Sequence, residues 1–527
     1  MNISLEKIYG PPGTGKTTTL IERMEKSGIP FERIAFVSFT RATIAEIQKR
    51  LNLNEVQGEY FRTIHSMNFR LLKVNKTQMA QNHLHTFNAR FSPEFIRRES
   101  RRPVDDTTVI HTATDTIDDG FYKQMMWERL QMLPRDYVPP HYSKNATLYL
   151  SFKNRYHTWL TDNDYIDFTG LLERGIERRV LPPVDLLCVD EWQDLNPLQV
   201  YQVSQWAKHI PYSIHAGDDD QTIHEWAGAR HEDFLEFPTF SVSDPKTTIL
   251  NRTYRLPKNV LDMSVSFIER NERRMKKEGI ETANKTTGII EYTHIDKAAS
   301  VLRESLKQGK SCRVLVVANS LITKVSEQLT ERGIPVSDIL ADHVRAISIL
   351  KHTKDTISTE DLDFMASNAV FPARVYFIHG GKKKAKAIAQ ETAKMGQTTL
   401  RIDQLRDILN PYFYLAIENG DPTGLKKKGL AEALEVYKNF GRTFSPVQIT
   451  TIHQSKGSEA ETVVVCLDVP KKVMQEERNP HKREQLRRIW YVAITRTKQN
   501  LLFLQPSFRG YYPSLFTDYV KVYVKQT

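Results

Sequence analysis

Apolar residues along this chain fall into short runs, and most runs are followed by a segment with helical spacing. Residues 5–9 predict a short strand and residues 18–26 a helix. Residues 33–40 (RIAFVSFT) predict a buried parallel strand. It opens into a helix over 41–51, with Ile44, Ala45, Ile47 and Leu51 on one side. A weaker strand signal sits at 59–62. Further strands are expected at 184–189, 212–216 and from 248. A second βα series follows: strand 313–318, helix 323–332, then strands opening near 447, at 462–467 and at 501–504.

Two stretches interrupt this rhythm. From about 72 to 163, His, Asn, Arg and aromatic residues abound and strand runs are few, which predicts an inserted, mostly helical subdomain. Within it Arg97, Arg98, Arg101 and Arg102, with Phe87, Phe91 and Phe95, read either as a nucleic-acid face or as a plain amphipathic surface. A second insertion runs from about 343 to 441 and carries lysine runs at 382–384 and 426–428, read mainly as exposed loops or helix faces. The class is therefore α/β, with parallel sheets flanked by helices. The first domain takes residues 1–72 and 164–255, interrupted by 73–163; the second takes 256–342 and 442–527, interrupted by 343–441.

Composition narrows the setting. At 527 residues there is chain enough for several cores, and 40% hydrophobic with 26% charged residues is ordinary for a globular protein. No apolar run approaches the ~20 residues of a membrane helix. The first strand begins almost at Met1, so no leader peptide and a cytoplasmic location are expected. Cys188, Cys312 and Cys466 each lie in an apolar run without metal-type spacing, which predicts buried free thiols in a reducing compartment. A net charge of +11 and a pI near 9.2 fit a polyanionic partner or, equally, a solvated basic surface.

The chemistry concentrates at strand ends. Residues 10–17, GPPGTGKT, match the phosphate-loop pattern G-x-x-x-x-G-K-[S/T] at every fixed position. Glycines let backbone N–H groups close on phosphates, and the following helix N-terminus adds positive partial charge. Lys16 would reach the terminal phosphates, and the Thr17 hydroxyl would sit on Mg²⁺. The strand at 184–189 ends in Asp190 and Glu191, the arrangement that sets a metal ligand and a general base beside a γ-phosphate. The strand at 212–216 ends in Asp218, Asp219, Asp220 and Gln221; the three acids need cations or donors nearby, and Gln221 is placed to sense the γ-phosphate or the attacking water. Trp226 is a candidate stacking platform. Tyr254 beside Arg255 suits adenine stacking with a phosphate contact, and Arg496, near a helix end, is a candidate arginine finger.

Taken in order, these segments resemble the UvrD/PcrA/Rep group of superfamily-one helicases, over residues 8–504. The resemblance implies two RecA-like phosphate-loop NTPase domains, each with its insertion, and Mg-ATP bound in the cleft they form. It assigns nucleotide contact to Gly10, Pro11, Pro12, Gly13, Thr14, Gly15, Lys16, Thr17 and Thr18, with Thr17 and Asp190 as metal ligands and Glu191 as general base. Gln221 matches the motif coupling hydrolysis to DNA, Tyr254 an adenine contact, and Arg255 and Arg496 two γ-phosphate arginines. Glu459, with Gly457 beside it, matches a residue near the ribose. Phe39, Thr40, Arg41, Thr63, His65 and Trp226 match positions lining a single-strand groove; Thr451 and His453 match a motif lying between the ATP and DNA sites.

The function this implies is ATP-dependent unwinding of DNA, moving 3′ to 5′ on the strand held, with single-stranded and tailed duplex DNA as partners. RNA stays open as substrate. So do protein partners such as a single-strand binding protein or replication and repair factors. Three other readings stand beside it: a translocase that remodels nucleoprotein, a motor subunit of a helicase–nuclease complex, and a binding module with a dead site, against which the intact catalytic set argues. The chain departs from the family pattern in places. No glutamine precedes Gly10, so no strict preference for ATP is implied; His224 and Ala227 replace a tyrosine and an arginine around Trp226. The 31 residues beyond Arg496 are too few for the nuclease domain of some relatives.

Overall fold

The computed structural model describes residues 3–91, 117–336, 338–441, 447–507 and 511–526. The chain forms two compact units. The first comprises Met1–Leu256, Val265–Lys285 and Glu484–Tyr491; the second comprises Pro257–Ser264, Thr286–Arg483 and Val492–Thr527.

The first unit is built on a six-stranded sheet. Its strands are β1 (Ser4–Tyr9), β2 (Ile34–Val37), β3 (Phe61–Arg62), β4 (Leu186–Val189), β5 (Tyr212–Gly217) and β6 (Asp244–Ile249), in the order β3-β2-β4-β5-β1-β6. Every pairing is parallel. All residues of β2 and β4 are buried, as their unbroken apolar runs require when helices cover both faces. Parallel pairing has a direct consequence for function: the loops leaving β1, β2, β4 and β5 all emerge at one edge. Helix α1 (Lys16–Lys26) leaves the phosphate loop with Leu20 and Met24 turned to the core. Helix α2 (Arg41–Arg50) is capped by the Thr40 hydroxyl, which accepts from Thr43 N–H at 3.2 Å. Helix α3 (Ile64–Leu71) is capped likewise by Thr63, accepting from Ser66 N–H at 3.3 Å.

Helices Leu84–Phe91, Ile117–Leu130 and Ala146–Asp162 build the first insertion around aromatic residues. Here one expectation is corrected. Phe87 is fully buried, edge-on to Phe152, Tyr156 and Trp159, so it belongs to the core of the insertion and to no nucleic-acid face. The side chain of Phe91, and Phe95, Arg97, Arg98, Arg101 and Arg102, lie outside the described residues.

The second unit carries an all-parallel five-stranded sheet: β7 (Ile289–Thr293), β8 (Cys312–Val316), β9 (Gln448–Thr451), β10 (Ala460–Cys466) and β11 (Thr497–Leu504), ordered β9-β8-β10-β11-β7. Its insertion is helical, with a separate core around Leu350, Phe371 and Phe413, and one antiparallel ribbon of Thr356–Ser358 with Thr399–Arg401. Lys383, Lys384 and the run at 426–428 are exposed. Lys382 is half-buried and donates to Asn368 O at 2.9 Å, a structural contact. All three cysteines are buried free thiols. Among the described residues, no helix is long and apolar enough to cross a membrane.

Candidate ATPase site and single-strand groove

The phosphate loop occupies the turn from β1 into α1. Gly13 and Gly15 have φ of 76° and 82°, the left-handed region in which a side chain is strained. Lys16 is buried, and its Nζ donates to Gly10 O at 2.7 Å, so the lysine is held inside the loop it serves. The Thr17 hydroxyl donates to Asp190 Oδ2 at 2.7 Å. Asp190 is itself fixed by its backbone N–H bond to Val37 O at 2.8 Å. Burial, and then the neighbouring Glu191, push the Asp190 carboxyl up to about 6, against the pull of Thr17 and Lys16. Two hard oxygen donors converging beside a second carboxylate fit a small divalent cation such as Mg²⁺.

Arg252–Thr253 pairs with Glu281–Thr282 and brings the next segment onto the phosphate loop. The Thr253 hydroxyl donates to Pro12 O at 2.8 Å, and Tyr254 N–H donates to Gly13 O at 2.9 Å. Tyr254 is 65% exposed, which leaves its ring open for stacking beside the loop. Arg255 adjoins it, so close that a Cβ added to Gly13 would lie 2.5 Å from the arginine's own.

Beyond β5, Asp218, Asp219 and Asp220 are all buried. Their counter-charges come from a segment in which sequence reading found nothing. Lys277 Nζ lies 2.9, 2.7 and 2.7 Å from the three carboxylates, and Arg274 Nη2 lies 2.6 Å from Asp220. Burial alone would raise Asp220, but Lys277 and Arg274 outweigh it and hold Asp220 at about 2. The three acids thus satisfy the expectation of nearby cations, and these cations are protein side chains. Gln221 Nε2 donates to Asp218 Oδ2 at 2.8 Å.

On the same edge, Phe39 stacks on His224, with ring centroids 5.2 Å apart, and His224 meets Trp226 edge-on at 5.7 Å. Trp226 is half-buried, while Thr40 and Arg41 are exposed beside Phe39. Thr63 is buried as the α3 cap, and His65 stands edge-on to Phe168 at 5.9 Å. The sequence reading treated His224 only as a departure. The structure makes it the link joining Phe39 to Trp226.

The remaining predicted residues belong to the second unit. Arg496 is buried just past the helix Pro480–Ile494, its Nε donating to Val492 O at 3.0 Å. Glu459 pairs with Lys498 at 2.6 Å, and Gly457 has φ of 79°. The Thr451 hydroxyl accepts from Gln454 N–H at 3.2 Å, next to the half-buried His453.

Comparison with known families agrees with this layout. Residues 5–240 match the UvrD/REP helicase N-terminal domain, and residues 356–506 match the UvrD-like helicase C-terminal domain. The chain belongs to the UvrD/REP helicase family and is a superfamily-one helicase of the UvrD/PcrA/Rep type. Similar proteins include the ATP-dependent DNA helicase PcrA of Staphylococcus epidermidis, 23% identical over 94% of this chain and 80% of that protein. PcrA of Staphylococcus aureus is 23% identical over 85% of this chain and 62% of its own length. A probable DNA helicase II homolog of Mycoplasma capricolum is 24% identical over 66% of this chain and 51% of that protein.

Proposed function

We propose that this protein is an ATP-dependent DNA helicase that moves 3′ to 5′ along single-stranded DNA and opens the duplex ahead, driven by hydrolysis of Mg-ATP. The observation that carries the proposal is the shared sheet edge. The phosphate loop after β1, the acids after β4 and the aromatics after β2 and β5 all stand at the C-terminal ends of parallel strands. One element, 217–226, therefore reaches from the acids to the groove. The family membership and the relatives' shared DNA-helicase names support the same reading.

In this mechanism Lys16 exchanges its bond to Gly10 O for oxygens of the β- and γ-phosphates. Thr17 and Asp190 would hold Mg²⁺, which when bound neutralises charge developing on the phosphoryl oxygens. Glu191 takes a proton from the water that attacks the γ-phosphorus, and ADP departs. Tyr254 stacks on the base of the nucleotide and Arg255 adds positive charge to the γ-phosphate; the same task for Arg496 rests on family resemblance alone. On the nucleic-acid side, Phe39, His224 and Trp226 offer π-faces that accept any base, with Thr40, Arg41, Thr63 and His65 as further groove contacts. Thr451 and His453 are assigned by family resemblance alone, to the motif between the ATP and DNA sites.

The decisive experiment is ATP-driven unwinding of two short duplexes, one with a 3′ and one with a 5′ single-stranded tail, with Lys16→Ala as control. Opening of the 3′-tailed duplex alone is the expected result. Opening of the 5′-tailed duplex alone would reverse the polarity. DNA-stimulated hydrolysis with neither duplex opened would replace the helicase reading with that of a translocase.

A further inference from the structure

Gln193 is fully buried, and its side-chain amide spans two groups with separate tasks. Its Nε2 donates to Glu191 Oε2 at 2.7 Å, and its Oε1 accepts from the Asp218 backbone N–H at 2.9 Å. The second bond fixes the amide's orientation. A backbone N–H can only donate, so the oxygen must face Asp218 and the nitrogen must face the Glu191 carboxylate.

From Asp218 the connection runs on toward the groove. The Asp218 carboxylate accepts from Gln221 Nε2 at 2.8 Å and from Asp220 N–H at 3.3 Å, and it pairs with Lys277 at 2.9 Å. Lys277 and Arg274 clamp the three acids, so residues 218–220 can shift only together. A short way along lies His224, stacked on Phe39.

At the other end the Glu191 backbone is held on both sides, its N–H donating to Asp190 Oδ1 at 3.0 Å and its carbonyl accepting from Asp194 N–H at 3.0 Å. Its φ of 53° and ψ of 40° place it in the left-handed region, which costs a non-glycine residue energy and persists where surroundings impose it. With the backbone so held, the direction of the carboxylate is set by the partners of its oxygens, and Gln193 is one of them.

We propose that Gln193 is a positioning residue that carries the state of the single-strand groove to the general base. This rests on the reading of Glu191 as base and of Phe39, His224 and Trp226 as groove. With the groove empty, the Gln193 amide draws the Glu191 carboxylate toward Asp218. A strand that parts His224 from Phe39 moves the segment 218–224, and the amide moves with the Asp218 N–H it is bound to. The carboxylate is then re-aimed, and hydrolysis accelerates when a strand is held.

The test compares Gln193→Met, which keeps the length without either hydrogen bond, with wild type. ATP hydrolysis is measured with and without a saturating thymidine oligonucleotide. KM for ATP, oligonucleotide affinity and melting temperature are measured alongside. The ratio of stimulated to basal kcat should fall by roughly 10-fold or more, the scale of misplacing a reacting group. KM and oligonucleotide affinity should stay at the wild-type values. Gln193→Leu, of similar volume but different shape, also removes both hydrogen bonds. It should lose stimulation equally, and it carries the comparison if Gln193→Met loses its cooperative melting transition. An unchanged ratio, with both rates lowered in proportion, would reduce Gln193 to a structural residue and overturn the proposal. Loss of oligonucleotide affinity would overturn it too. A wild-type enzyme that the oligonucleotide does not stimulate would sink the functional reading itself.

Discussion

The ring of Phe39, at the end of β2, and the imidazole of His224, beyond β5, stack with centroids 5.2 Å apart and planes 25° from parallel. Two rings from different loops thus cover each other's faces, at the place where a base would need a platform. Replacing one ring removes a stacking partner without removing a charge. Phe39→Ala, like Trp226→Ala, should weaken binding of a thymidine oligonucleotide by about 1–3 kcal/mol per stacked base, read by fluorescence anisotropy. The slope of log affinity against log salt should stay that of wild type, because no phosphate contact is lost. An unchanged affinity would take that ring out of the groove.

Separation of the two sites gives the next expectation. Lys16 is held by Gly10 O and Thr17 by Asp190, whereas Phe39 and Trp226 each meet His224. Lys16→Ala should lower kcat for ATP hydrolysis by at least about 100-fold, the scale of losing one aimed electrostatic contact. Oligonucleotide affinity should be retained. Asp190→Asn should raise the Mg²⁺ concentration needed for half-maximal hydrolysis, since one charged ligand becomes a neutral one. Equal loss of hydrolysis and strand binding in Lys16→Ala would show that the two sites are not separate.

Gly13 offers a sharper test of how the nucleotide site is closed. Its φ of 76° already strains any side chain, and a Cβ there would lie 2.5 Å from Arg255 Cβ and 2.8 Å from Thr253 Oγ1. Those neighbours are tied to the same turn through Thr253 Oγ1 to Pro12 O and Tyr254 N–H to Gly13 O. Gly13→Ala must therefore push the Tyr254–Arg255 segment off the loop. The left-handed penalty, about 1–2 kcal/mol, falls on the folded state, and displacement of the Tyr254–Arg255 segment should weaken nucleotide binding severalfold in a fluorescent-ATP titration. Wild-type affinity would mean that this segment does not contribute to the site.

How much of this was legible in the sequence follows from where each interaction is encoded. The phosphate loop and the acids after β4 are local: a fixed spacing of residues creates the geometry, so reading the spacing finds them. Both α/β sheets and their helical insertions also announced themselves, because buried parallel strands are unbroken apolar runs. The edge strands were less plain: β6, expected from 248, runs from Asp244 to Ile249 and is mostly exposed, and β7 was missed. It is an edge strand, half-exposed along most of its length and carrying Glu291, so it lacks the run that marks a central strand. Phe87 was misplaced because an aromatic beside arginines looks the same on a surface as above a core. Gln193 and Lys277 were missed for another reason. Their partners, Asp218 and the acidic trio, lie 25 to 59 residues away and meet them only through the fold. The sequence could say that three adjacent buried acids need cations, but not which ones.

Lys277 carries the last prediction. It is buried against Asp218, Asp219 and Asp220, which hold it charged well above the usual lysine range despite the burial that opposes this. Lys277→Met keeps the volume and removes the central cation, leaving three buried carboxylates with Arg274 on Asp220 and neutral donors from Met275 N–H and Gln221. Breaking a buried pair in this way costs about 3–5 kcal/mol, so the melting temperature should fall clearly. The loss should depend on pH. In wild type Asp220 sits at about 2, below its ordinary value, so its pairing stabilises above roughly pH 4 and is lost as pH falls toward 2. Burial and the neighbouring Asp220 raise Asp219 to about 6. In the variant the carboxylates take up protons more readily in the folded state, and protonation relieves their repulsion. The stability gap between wild type and Lys277→Met should therefore be smaller at pH 4.5 than at pH 7.5, by urea unfolding at both values. A gap that stays constant across that range would mean the lysine stabilises through packing, with its charge making no net contribution.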